Sequence, residues 1–81
     1  MRFLHTKRSR EQFANAPPDV QKAFEKQVRL LVENLRHPSL RAKKYDEAND
    51  IWQARINQGW RFYFQIEDDI YVILTLIAHR K

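Results

Sequence analysis

The sequence predicts an α+β fold: an N-terminal strand, a helical hairpin and a three-stranded antiparallel meander, forming a small twisted sheet packed against the helices. Three observations predict it. Trp52, Ala54 and Ile56 alternate with Gln53, Arg55 and Asn57, and Trp60, Phe62, Phe64 and Ile66 alternate with Arg61, Tyr63 and Gln65. That period of two is the pattern of strands with one buried face. Val20, Phe24, Val28, Leu31 and Leu35 recur instead at helical spacing. Prolines at 17, 18 and 38 separate these blocks, and proline ends a helix because it lacks the N–H and clashes with the preceding turn.

Each element follows from its own residues. Met1 to Thr6, with Phe3 and Leu4, reads as a short opening strand. Ser9 with Gln12 three residues later is a capping-box pattern and predicts a helix start, which Pro17-Pro18 stops near Ala16. Pro18 suits the first turn of a second helix, and Asp19 adds a favourable negative charge there. His37-Pro38 is the expected end of that helix. Residues 39–45 read as a connecting segment, anchored by Leu40 and Tyr45 with Arg41, Lys43 and Lys44 outward, and Asp46 to Asp50 as a polar turn. Ile70 to Ala78 is apolar nearly throughout, which predicts a central strand covered at least in part on both faces.

Composition bounds the rest. A chain of 81 residues is enough for one small domain, here residues 1–81. It has no cysteine, so neither disulfides nor thiolate zinc sites are available, and the apolar core must carry stability. No apolar run is long enough to span a membrane, and the start lacks the apolar stretch of a signal peptide. A cytoplasmic protein with no membrane partner is expected. Fifteen Lys and Arg against ten Asp and Glu give a net charge of +5. The partners this suits are anionic: nucleic acid, an acidic protein segment or a ribosome surface.

Chemistry-bearing motifs are few. One glycine cannot make a phosphate loop. His5, His37 and His79 lack zinc spacing, and Glu67-Asp68-Asp69 reads as a solvated hairpin tip. No metal and no cofactor is expected. What remains is cationic, and strand register brings part of it together. A two-residue turn at Gln58-Gly59 would pair Asn57 with Trp60 and mix the faces. A three-residue loop, Asn57-Gln58-Gly59, pairs Ile56 with Trp60 and keeps them, with Gly59 expected in the left-handed conformation.

That register sets Arg55 opposite Arg61 and Gln53 opposite Tyr63, away from the Trp/Phe core. Like charges facing across a ladder are destabilising. The pair stands equally for a phosphate site and for two solvated arginines splayed on an open face. Tyr63 beside it can stack on a base, or serve as a half-buried strand aromatic. Arg41, Lys43 and Lys44 can join the same face or stay solvated.

The ordered set Leu35-Arg36-His37-Pro38-Ser39-Leu40-Arg41-Ala42-Lys43-Lys44-Tyr45, Ile51-Trp52-Gln53-Ala54-Arg55-Ile56, Gly59-Trp60-Arg61-Phe62-Tyr63-Phe64 and Ile77-Ala78-His79-Arg80 resembles the RelE/ParE toxin superfamily of bacterial toxin–antitoxin systems, over nearly the whole chain. The resemblance implies a toxin that acts with a cognate antitoxin and, through it, on operator DNA. It favours the RNA-cleaving branch, which enters the ribosomal A site and cleaves mRNA by attack of a 2′-hydroxyl on the adjacent phosphate, without a metal. It implies Arg61 as the residue holding the scissile phosphate and Arg55 as a second basic residue. It implies Arg80 as the group at the leaving oxygen and His79 as an acid or base. Arg41, Lys43, Lys44, Gln53 and Tyr63 would bind RNA. The sequence departs from the pattern in ending at Lys81, where many relatives continue to a tyrosine, and in carrying Gln53 where some have a lysine. The alternatives are a ParE-like inhibitor of DNA gyrase and a catalytically silent antitoxin-binding relative.

Overall fold

The computed structural model describes residues 1–79. Its order is β1 (Arg2–His5), α1 (Lys7–Asn15), α2 (Pro18–Glu33), a 3-10 turn (Pro38–Leu40), β2 (Lys43–Asp46), β3 (Ile51–Asn57), β4 (Trp60–Glu67) and β5 (Ile70–Ala78). The five strands make one mixed sheet in the order β1-β5-β4-β3-β2. The α+β class and the helical hairpin are as the sequence predicts. The meander has four strands rather than three, because the segment read as a connection contains β2, antiparallel to β3. No helix among the described residues is long and apolar enough to cross a membrane.

The parity of the apolar residues places the core. Ala54, Ile56, Phe62, Phe64, Tyr71, Ile73 and Leu76 from the sheet are buried with Val20, Phe24, Val28 and Leu31 of α2. Phe24 meets Phe62 edge-on at 5.2 Å between centroids, a favoured aromatic geometry. The opposite sheet face carries no helix, so β5 is covered fully on one face only. Ile77, next to its end, is 41 % exposed. β5 is nonetheless interior to the sheet, between β1, which runs parallel to it from Arg2 opposite Ile70, and β4. Beyond β1, α1 lies along β5. The Gln12 Oε1 accepts from the Leu76 N–H at 3.0 Å and from the Thr75 hydroxyl at 2.8 Å, so a side chain replaces the missing strand partner.

The helix ends differ from expectation in an instructive way. Thr6, not Ser9, is the N-cap of α1, its Oγ1 accepting from the Ser9 N–H at 3.1 Å. Ser9 is fully buried and faces His5, whose Nδ1 lies 2.7 Å from the Ser9 Oγ. α2 stops at Glu33, a turn before His37-Pro38, with Asn34 extended at the C-cap. Leu35 then reaches the core from outside the helix.

The β3–β4 connection corrects the loop expectation. Asn57 pairs with Trp60 across a two-residue turn, and a β-bulge between Arg55 and Asn57 restores the parity before Arg55 pairs with Arg61. The inserted residue is Ile56, which stays buried at 4 % exposure. Gly59 does not have a positive φ. Its N–H instead donates to the Asn57 Oδ1 at 2.9 Å, an Asx turn. A Cβ added at Gly59 would meet only that oxygen, at 3.9 Å. Gly59→Ala should therefore fold normally, with stability changed by less than about 1 kcal/mol in urea denaturation.

His5 gives the fold a pH dependence. Its ring lies 5.7, 5.8 and 5.5 Å from those of Phe3, Phe13 and Phe24. Burial, and after it the charge of Arg10, holds its pKa below the ordinary 6.5. The unfolded chain then takes up the proton first as pH falls. The stability this site contributes is complete above about pH 6.5 and declines as pH drops from there through the folded pKa. The melting temperature should fall between about pH 7.5 and about pH 5.5. His5→Gln, which cannot titrate, should be less stable at the upper pH and lose less on acidification.

Candidate functional site

The helix-free face of the sheet is where the cations gather, and one buried amide sets them there. The Arg55 carbonyl, beside the bulge at Ile56 and beyond the pairing with β2, accepts from outside the sheet. Gln27 of α2, itself 5 % exposed, donates through Nε2 to that carbonyl at 2.8 Å and to the Ser39 carbonyl at 3.1 Å. One side chain thus ties α2, the 3-10 turn and β3 together. The chain leaves the 3-10 turn through Arg41, whose φ of 46° and ψ of 43° are left-handed. That conformation costs a non-glycine residue about 1–2 kcal/mol, and it turns the chain into β2.

Arg41, Lys43, Gln53, Arg55 and Arg61 line a cup of about 300 Å³ on this face. The predicted facing of Arg55 with Arg61 and of Gln53 with Tyr63 is observed. Arg61 is partly anchored: its Nη1 donates to the carbonyls of Asn57 at 2.8 Å and Trp60 at 2.9 Å. Those carbonyls offset some of its charge and fix the fork. Arg55 has no such support. Its Nε is buried without a hydrogen-bond partner. Desolvation, then the like charges of Arg41 and Arg61, push its guanidinium below the ordinary value, though an arginine stays charged at neutral pH. Among the described residues the one ion pair is Lys44 with Asp50. None of the cup's cations is matched by a carboxylate, which leaves a site suited to an anion.

The remaining residues divide. Gln53 donates to the Tyr63 hydroxyl at 2.8 Å, and Tyr45 meets Tyr63 edge-on at 4.9 Å between centroids. Tyr45 was expected to anchor in the core but is the bulged residue of β2 and 61 % exposed. With Tyr63, Ile51, Leu74 and Ile77 it forms an apolar shelf beside the cup. Lys44 does not join the site. Successive strand residues point to opposite faces, so Lys44 pairs with Asp50 and lies 5.1 Å over the Trp52 ring. His79 is exposed and outside the cup lining, and its N–H donates to the Gly59 carbonyl at 2.7 Å, at the turn that also anchors Arg61. Arg80 lies outside the described residues. Gln27 and Tyr45 were missed as site-building residues. A signal existed for Gln27, which falls three residues after Phe24 and four before Leu31, on the apolar stripe itself.

The model of the ParE toxin of type II toxin–antitoxin systems matches residues 5–81. The chain belongs to that family. It is a RelE/ParE-superfamily toxin, in keeping with the resemblance of its strand and turn motifs. Solved structures share the fold. A YoeB/ParE toxin from Agrobacterium tumefaciens superposes with a TM-score of 0.81 at 12 % identity, covering 99 % of this chain and 100 % of that one. The isolated RelE toxin of E. coli gives 0.77 at 13 % identity, covering 98 % and 84 %. The RelBE2 toxin–antitoxin complex of Mycobacterium tuberculosis gives 0.72 at 25 % identity, covering 96 % and 95 %. No curated protein matches the chain significantly.

The clamp predicts a measurable dependence of this toxin fold on Gln27. Gln27→Leu keeps the volume but leaves the Arg55 and Ser39 carbonyls without a donor. It should cost about 2 kcal/mol in chemical denaturation and weaken binding of inorganic phosphate, checked by calorimetry.

Proposed function

We propose that this toxin is a ribosome-dependent mRNA endonuclease that cleaves by attack of a ribose 2′-hydroxyl on the adjacent phosphate and so inhibits translation. The observation that carries the reading is the carboxylate-free cup of Arg41, Lys43, Arg55 and Arg61, with the Arg55 Nε unpartnered. A phosphate there would relieve the repulsion between Arg55 and Arg61. As the 2′-oxygen bonds to phosphorus and the bond to the 5′-oxygen breaks, charge builds on the phosphorane oxygens, and the two guanidinium groups are poised to stabilise it. Tyr63 and Tyr45 offer ring faces and edges to a neighbouring base. The 2′-hydroxyl must lose a proton and the leaving 5′-oxygen must gain one. The cup holds no carboxylate or imidazole, so His79 is the candidate to take the first proton, and Arg80 to stabilise charge on the leaving oxygen while water supplies the second.

The fold's relatives include structures of toxin–antitoxin complexes. They support a cognate antitoxin as partner; operator DNA reached through that antitoxin and a cytoplasmic place of action belong to the same proposed reading. Residues 1–81 would act as one domain. A second reading rests on the same missing base: the cup as a pure anion grip, in a gyrase inhibitor or a silent antitoxin binder.

Primer extension on an mRNA in a reconstituted translation reaction separates the readings. Cleavage that requires ribosomes and falls by about 10²–10³-fold with Arg61→Ala, and comparably with Arg55→Ala, is the expected result. Intact mRNA, with DNA supercoiling by gyrase blocked, would establish the second reading instead.

A further inference from the structure

The cup is not the only cavity that Arg41 and Arg55 line. On their other side a groove of about 480 Å³ runs between α2 and the β3–β4 turn, walled by Lys26, Ser39, Asn57 and Gln58 along with the same two arginines. Like the cup, it has no carboxylate in its lining. Lys26 is exposed on α2, and among the described residues it has no acidic partner. The groove also differs from the cup. It mixes three cations with side-chain amides and a hydroxyl, the groups that hydrogen-bond a base edge, and with the apolar surfaces of Ala23 and Pro38. The strained Arg41 backbone and the Ile56 bulge fix the wall between the two cavities.

We propose that the groove is a second nucleotide subsite, holding the residue next to the one whose phosphate sits in the cup. Arg41 and Arg55 bridge the two phosphates, Lys26 takes the outer one, and Asn57 and Gln58 contact the base. The bound chain crosses the edge of the sheet toward α2 instead of lying wholly on the open face. The inference rests on the RNA-binding reading and names where the strand goes. It makes the β3–β4 turn tip a determinant of sequence preference.

The test uses fluorescein-labelled 2′-O-methyl RNA of two and of four nucleotides, which cannot be cleaved, with binding followed by anisotropy at several salt concentrations. The wild type should bind the longer oligomer about tenfold more tightly than the shorter, the equivalent of one charge-assisted contact. Lys26→Gln should abolish that difference, leave the shorter oligomer unaffected and reduce the salt slope of the longer by about 0.7. Gln58→Ala should change base preference in the longer oligomer only. Arg61→Ala should weaken both lengths. Lys26→Gln binding both lengths as the wild type does, or weakening both equally, would overturn the groove subsite while leaving the cup intact if Arg61→Ala still weakens both. Wild-type protein that binds neither length would overturn the subsite and the RNA reading together.

Discussion

Everything on the working face depends on the buried Gln27 amide. A buried carbonyl without a donor is costly. Here the cost is met from the opposite layer, by a helix residue that takes the Arg55 and Ser39 carbonyls at once. The bulge corrects the parity between a two-residue turn and two strands that must share a core face. The Gln27 contact fixes the height of the 3-10 turn over the sheet, and with it the point where Arg41 and Lys43 enter.

The cup therefore owes its charge density to packing. Phe62, Phe64 and Ala54 are held on the core side, and strand alternation then forces Arg61, Tyr63 and Arg55 to the other side whatever their mutual repulsion. Hydrophobic burial on one face holds like charges together on the other. Arg61 is eased by the turn carbonyls, and Arg55 is left with an unused donor. This asymmetry within a pair that faces across one ladder separates a positioned arginine from one with a spare donor.

Much of this was legible in the sequence, for reasons that differ by element. Alternation over 51–66 and the helical spacing from Val20 to Leu31 reflect burial directly, so strands, helix and core face followed. The facing of Arg55 and Arg61 followed from parity alone, although the route through a three-residue loop was wrong; a two-residue turn with a bulge gives the same pairs beyond Arg55. β2 was not legible. Lys43, Lys44 and Asp46 are polar, and lysines on an edge strand guard against pairing with other chains while hiding the strand from a hydrophobic pattern. Nor could sequence place Tyr45 outside, since with β2 unread nothing set the alternation that puts Tyr45 on the same face as Lys43. Gln27 carried a faint signal as a polar residue on an apolar stripe, but its partners are backbone carbonyls that exist as orphans only once the fold is made.

The parallel pairing of β1 with β5 has a consequence for how such a toxin comes into being. The first strand leaves the ribosome early, yet its only neighbour in the sheet is β5, and β4 too has an open edge until β5 arrives. Ile73, Tyr71 and Leu76 of β5 complete the core beneath both helices. Contacts so distant along the chain form slowly, because the loop between them must close first. β1 stays unpaired until β5 is available, so closing the sheet and completing the core are late events in folding.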